Sequence, residues 1–169
     1  MSVIRLQQHS GQASRGFTMI EVLVALVVLS VGLLGLAGMQ LNGLRYNYGA
    51  YSRSQATLMA YDIIDRMRAN DHATSTAYDA IDTTAAGTCG NAAATACASS
   101  AAGCSPDNMA LADRYEWCQL FNAVPPILPG ASATLTNAGG TYTVTVTWQE
   151  REANAAGTSN KNLTIRVQP

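Results

Sequence analysis

Between Val22 and Met39 the chain runs for 18 residues in which Ser30 is the only polar side chain. Counting Phe17 to Ile20, the apolar stretch reaches about 22 residues, close to the ~20 that a helix needs to cross a bilayer. Past Met39 the hydrophobic signal changes from continuous to periodic. Leu41, Leu44, Tyr48, Tyr51, Gln55, Leu58, Tyr61/Asp62 and Asp65 follow a three-to-four spacing, and Met59, Ile63, Ile64 and Met67 form a second row. That is the mark of a helix with one broad apolar face, interrupted by Arg45, Arg53, Asp62 and Arg66. No proline occurs before Pro106. The pattern therefore predicts one helix from about Thr18 to about Asn70, roughly 80 Å long at 1.5 Å per residue. Asn70 and Asp71 suit its end. The membrane half should stand free, and a globular head should cover the later half.

Ala73 to Gly103 is rich in Ala, Thr, Ser and Gly. It offers little to a core and is expected to be an irregular loop. Ser105-Pro106-Asp107 predicts the start of a second helix, with Ser105 as N-cap and Pro106 at the first helical position. Leu111, Tyr115, Cys118 and Phe121 lie on one stripe, Trp117, Leu120, Phe121 and Val124 on another, and Pro125-Pro126 is expected to end it. The period then falls to two. Tyr142, Val144, Val146 and Trp148 alternate with Thr141, Thr143, Thr145 and Thr147, which predicts a strand with one apolar face. Ala131–Thr136 alternates likewise, joined through a hairpin turn at Asn137–Gly140. Leu163, Ile165 and Val167 form a third strand after a polar loop, Glu150–Asn162. The fold class is α+β: a long N-terminal helix packed on a C-terminal antiparallel sheet of about three or four strands, with a short second helix. Tyr142, Val144, Val146 and Trp148 should be buried against the long helix.

Charge adds orientation. The 169-residue chain has a formal net charge of −1, which gives no support to a nucleic-acid binder. Arg5 and Arg15 precede the apolar run with no acid beside them. Positive charge there holds that end in the cytoplasm, so the head should lie across the inner membrane, in the periplasm of a Gram-negative cell. The four cysteines, Cys89, Cys97, Cys104 and Cys118, suit that side and predict two disulfides, with three connectivities open. They contain no Cys-x-x-Cys, and His9 and His72 lie far away in sequence, so no metal site is expected. Cys104 and Cys118 flank the second helix; the favoured pairing is Cys104–Cys118 with Cys89–Cys97.

One residue does not fit a plain membrane segment. Glu21 sits just inside it, and the next charge is Arg45. A lone acid in lipid is costly, about 2.5–3.5 kcal/mol at a helix centre and less near its end. An ordinary secretory signal, for which Ala37-Gly38-Met39 would pass as the cleavage site, has no use for it. The residues Gly16-Phe17-Thr18-Met19-Ile20-Glu21 resemble the class III signal of type IV prepilins in every position. The resemblance implies cleavage by a prepilin peptidase between Gly16 and Phe17, N-methylation of Phe17, and retention of the apolar helix. It also implies that Glu21 meets the Phe17 amine of a neighbouring subunit during assembly. The chain then divides into a leader (1–16), a membrane and filament-core helix (17–40), the head half of that helix (41–72) and the rest of a type IV pilin-like head (73–169). Gly32, Gly35 and Gly38 recur every third residue. They either let helices pack closely or loosen the helix, at about 1 kcal/mol each relative to Ala, or simply reflect the frequency of Gly in membrane helices. Many major pilins have a proline where this chain has Gly38.

Within prepilins, residues 16–26, Ser30–Gln40 and the helix end Asp65-Arg66-Met67-Arg68-Ala69-Asn70 resemble the PilV family of type IV pilus modification proteins. That likeness implies a minor pilin that helps initiate and prime pilus assembly with other minor pilins and the major pilin, supporting twitching motility and adhesion. The alternative is a minor pseudopilin of type II secretion, similar to GspI. A DNA-uptake pilin would need a basic head, and the head has more acids than bases. A tethered enzyme finds no support: there is no triad, metal spacing or phosphate loop, and neither a cofactor nor a small-molecule substrate is expected.

Overall fold

The computed structural model describes residues 16–85, 87–90, 97, 103–151 and 157–168. Residues 1–15 of the expected leader lie outside them. The chain divides into two compact units, Met1–Leu41 and Asn42–Pro169. Helix α1 (Met19–Ala69) is followed by strand β1 (Ile81–Asp82), helix α2 (Pro106–Phe121) and strands β2 (Ser132–Ala138), β3 (Thr141–Arg151) and β4 (Thr158–Val167). The strands form one antiparallel sheet in the order β1-β2-β3-β4.

In the first unit every side chain from Phe17 to Leu41 is exposed, and the segment is long and apolar enough to cross a membrane. Between Val22 and Met39 the one polar side chain is neutralised locally: Ser30 Oγ donates to Leu26 O at 2.7 Å, so that hydroxyl is not left unpaired in an apolar surrounding.

In the second unit the core lies between α1, α2 and the sheet. Ala56, Met59, Ala60, Ile63, Ile64 and Met67 of α1 are buried, together with Trp117 and Cys118 of α2 and Tyr142, Val144, Val146 and Trp148 of β3. The period-two reading of β3 holds: its inward residues are the four expected. Leu135 pairs with Val144 and Ala133 with Val146 across β2, while Ile165 and Leu163 pair with the same two valines across β4, so three strands present one apolar face. Trp117 Nε1 donates to Met59 O at 2.7 Å in the buried interior, which aligns α2 on α1.

Several expectations are corrected. The row Leu44, Tyr48, Tyr51, Leu58 and Tyr61 is exposed; the head covers the other row, which includes the small residues Ala56 and Ala60. The Ala/Thr-rich segment is not wholly irregular, since Ile81 and Asp82 pair with Leu135 and Thr134 and Ile81 joins the core. The polar stretch after Trp148 is strand at both ends: Glu150 pairs with Ser159 and Arg151 with Thr158, because an edge strand tolerates polar residues on its open face. The hairpin turn is the dipeptide Gly139-Gly140, both at positive φ (60° and 83°), as a two-residue type I′ turn requires. Helix α2 stops at Phe121, where Asn122 N bonds Gln119 O, before the prolines are reached. Its start is as expected, with Ser105 Oγ accepting from Asn108 N at 3.3 Å.

Polar contacts tie the loop after α1 to α2. Arg66 binds Asp62 at 3.1 Å, Asp113 at 3.2 Å and Glu116 at 2.7 Å. Burial alone would lower the guanidinium's affinity for its proton; the bond to Glu116 and the charges of Asp62 and Asp113 outweigh it and hold Arg66 above its ordinary range. Asp113 also accepts from Tyr78 Oη at 2.6 Å, and burial, reinforced by that bond, pushes the Tyr78 phenol upward. Arg114 donates to Thr88 O and Ala77 O.

The disulfides are Cys89–Cys118 and Cys97–Cys104, not the favoured Cys104–Cys118 with Cys89–Cys97. Cys104 precedes α2 and Cys118 lies near its far end. The helical rise between Pro106 and Cys118 alone is about 18 Å, beyond the 4.4–6.8 Å between Cα atoms that a disulfide allows. Arg114, one turn before Cys118, also holds the carbonyl of Thr88, next to Cys89.

Two outcomes follow. Cys89→Ala with Cys118→Ala, which opens a 29-residue separation, should cost about 3–5 kcal/mol of head stability. Cys97→Ala with Cys104→Ala, across 7 residues, should cost about 2–3. Thermal melts of the full chain in detergent check the order. Arg66→Met, which leaves the buried Asp113 with its Tyr78 bond but without its cation, should cost about 1–3 kcal/mol in the same assay.

Candidate functional site: the N-terminal turn of the long helix

Helix α1 opens at Met19, and the residue before it sets the start. Thr18 Oγ1 accepts from Glu21 N at 3.3 Å, while Thr18 O accepts from Glu21 N at 3.1 Å and Val22 N at 3.3 Å. Thr18 is thus the N-cap, and Thr18-Met19-Ile20-Glu21 has the threonine-x-x-glutamate order of a capping box. The sequence reading assigned no role to Thr18, although the spacing of Thr and Glu ahead of an apolar run was the available signal.

The cap fixes Glu21 in the first turn, where the helix leaves four backbone N–H groups without helical partners. A carboxylate is favoured at that end by the helix dipole, by about 0.3–1 kcal/mol at exposed positions. The charge is therefore partly accommodated before any partner arrives. Phe17 is 83% exposed, and Gly16 precedes it, also exposed and outside the helix. Phe17 and Glu21 line one shallow apolar groove with Val22, Ala25, Leu26 and Leu29. The two residues singled out from sequence are thus brought to the same side of the chain.

The other candidates are placed apart from this groove. A side chain added at Gly32, Gly35 or Gly38 would meet nothing within 4 Å, so these glycines are not required by contacts inside the chain. The four cysteines are all in disulfides of the head. Among the described residues no group of three or more His, Cys, Asp or Glu side chains is placed to hold a metal ion.

Comparison with known proteins bears on both units. Residues 11–37 match the family model described as Prokaryotic N-terminal methylation motif, and residues 38–115 match Type IV pilin Tt1218. The two matches run without a gap from the leader into α2. Together they support a type IV pilin. No curated protein and no solved structure matches it. The long N-terminal helix, the four-stranded antiparallel sheet and the short second helix belong with that family. An exposed apolar N-terminal helix fits a pilin's need for membrane anchoring and packing with other pilins.

The cap makes a specific prediction. Thr18→Ala should lose about 1 kcal/mol of local helix stability, read as faster amide exchange at Glu21 and Val22 in detergent micelles, while Thr18→Ser should restore protection.

Proposed function

We infer that this pilin is a minor pilin of the PilV type, one that helps initiate and prime type IV pilus assembly and is then incorporated. The observation that carries the reading is the placement of Glu21: a carboxylate capped into the first turn of a helix whose segment to Leu41 is otherwise without charge and exposed, beside Phe17. The PilV-like run Ser30–Gln40 and the Arg-Ala-Asn helix end support the subtype.

On this reading, prepilin peptidase removes residues 1–16 and the amine of Phe17 is methylated. The new amine is cationic, and its distance along the chain from Glu21 is one helical turn. Opposite charges attract more strongly in a low-dielectric layer than in water, and an unpaired buried charge is penalised. A Glu21 that meets the amine of a neighbouring subunit therefore favours one axial register over its alternatives. The Gly32, Gly35 and Gly38 stripe offers the close approach that packed apolar helices use. Before assembly the helix anchors the protein in the inner membrane with the head in the periplasm; afterwards it lies in the pilus. Its role is structural rather than enzymatic, its partners are other minor pilins and the major pilin, and it supports twitching and adhesion through the filament.

Mass spectrometry of the mature protein should find an N-terminus at methylated Phe17; a start near Met39 would refute the reading. Glu21→Ala should insert in the membrane at normal levels but fall at least tenfold in sheared pili. A deletion strain should lose surface pili; retained pili with lost protein secretion would favour the GspI-like pseudopilin instead.

A further inference from the structure

The chain's net charge of −1 conceals a concentration of cations. Four of its ten Lys and Arg residues, Arg45, Arg53, Arg151 and Lys161, line one groove of the head, against a single lining carboxylate, Glu150. Arg45 and Arg53 come from α1, Arg151 from the end of β3 and Lys161 from β4. The groove has a volume of about 400 Å³, room enough for a phosphate-bearing group.

Its floor is built. Glu150 Oε1 accepts from Trp148 Nε1 at 2.7 Å, and Trp148 is fully buried. A Cβ added at Gly49 would stand 3.4 Å from Glu150 Oε2, so the absence of a side chain there lets the strand's carboxylate approach α1 closely. The single acid is thereby held at the base by the indole. The surplus of three positive charges among the lining residues does not depend on which contacts the individual cations make.

Position selects the anion. Arg45 is the first charged residue after the apolar run and follows Leu41 by four residues, a span of at most about 14 Å. A bilayer that holds the apolar segment therefore keeps this cation within reach of its headgroups. Tyr46, which also lines the groove, is 73% exposed, and tyrosine is enriched where protein meets the membrane–water interface. Basic residues next to a membrane segment attract anionic headgroups and lose that attraction within a Debye length.

We propose that the groove formed by Arg45, Arg53, Arg151 and Lys161 binds the phosphate of an anionic phospholipid on the head's side of the membrane. The bound lipid holds the head at the bilayer surface until the subunit is extracted. This lipid contact goes beyond the assembly role above and depends only on the apolar segment being in a bilayer.

The test uses the full chain in neutral detergent, offered phosphatidylglycerol or phosphatidylcholine and read by native mass spectrometry. Phosphatidylglycerol should be retained at least fivefold more than phosphatidylcholine. Arg53→Gln should weaken that retention by roughly fivefold, the scale of one basic residue's attraction to an anionic surface. The combined Arg45→Gln, Arg53→Gln, Arg151→Gln and Lys161→Gln variant should lose the preference. Arg166→Gln, outside the groove, should keep it. Equal retention of the two lipids overturns the proposal, as does an Arg166→Gln effect equal to that of Arg53→Gln. Displacement of the lipid by millimolar inorganic phosphate overturns it in favour of a free anion, and tighter binding of a poly-glutamate peptide overturns it in favour of an acidic protein partner. If the combined variant misfolds by circular dichroism, Arg53→Gln against Arg166→Gln decides alone. None of these outcomes reads pilus formation, so failure here is separable from failure of the assembly role.

Discussion

The head is organised by one apolar cluster, shared by the buried face of α1, α2 and the inner face of the β-sheet. Ala56 and Ala60 occupy the centre of the buried face, with Met59, Ile63, Ile64 and Met67 around them. They share one buried cluster with Val144, Val146 and Trp148 of the sheet. The larger residues Tyr48, Tyr51, Leu58 and Tyr61 are left on the surface. Interior packing is dense and intolerant of gaps, so the choice of face is set by fit as well as by hydrophobicity. Trp117 extends the same core to α2 and records the alignment in its bond to the Met59 carbonyl.

That fit explains which parts of the fold could be read in advance. β3 was legible residue by residue, because strict alternation admits one inward face. The extent of α1 was legible within one residue at each end, because no proline interrupts it. Its buried face was legible in the row Met59, Ile63, Ile64 and Met67 but not at Ala56 and Ala60, because Tyr and Leu score as apolar while Ala is nearly neutral. β1 was missed because two paired residues carry no period. Its Ile81 is recruited by the edge of β2, a long-range demand invisible to a local pattern.

The disulfides teach a related lesson. Cys104 and Cys118 look like neighbours when they are seen as brackets around a helix, yet that helix is a rigid spacer that separates them. The partner of Cys118 is Cys89, next to Thr88, whose carbonyl Arg114 also holds. At the other end of the chain the prepilin motif was legible in full, but the part played by Thr18 was not. Its hydroxyl caps the helix that carries Glu21, so the motif specifies a backbone geometry in addition to its charged residue.

The end position of β4 in the sheet has a consequence wherever heads are crowded together. An outermost strand carries backbone donors and acceptors that invite another strand, and ten residues is ample length for such pairing. Here the strand alternates Thr158, Asn160, Asn162, Thr164 and Arg166 on its more exposed side, with Lys161 among the half-covered positions. Charged and polar residues on an edge strand disfavour sheet-to-sheet adhesion. Heads brought close together are thereby disfavoured from aggregating through their sheets.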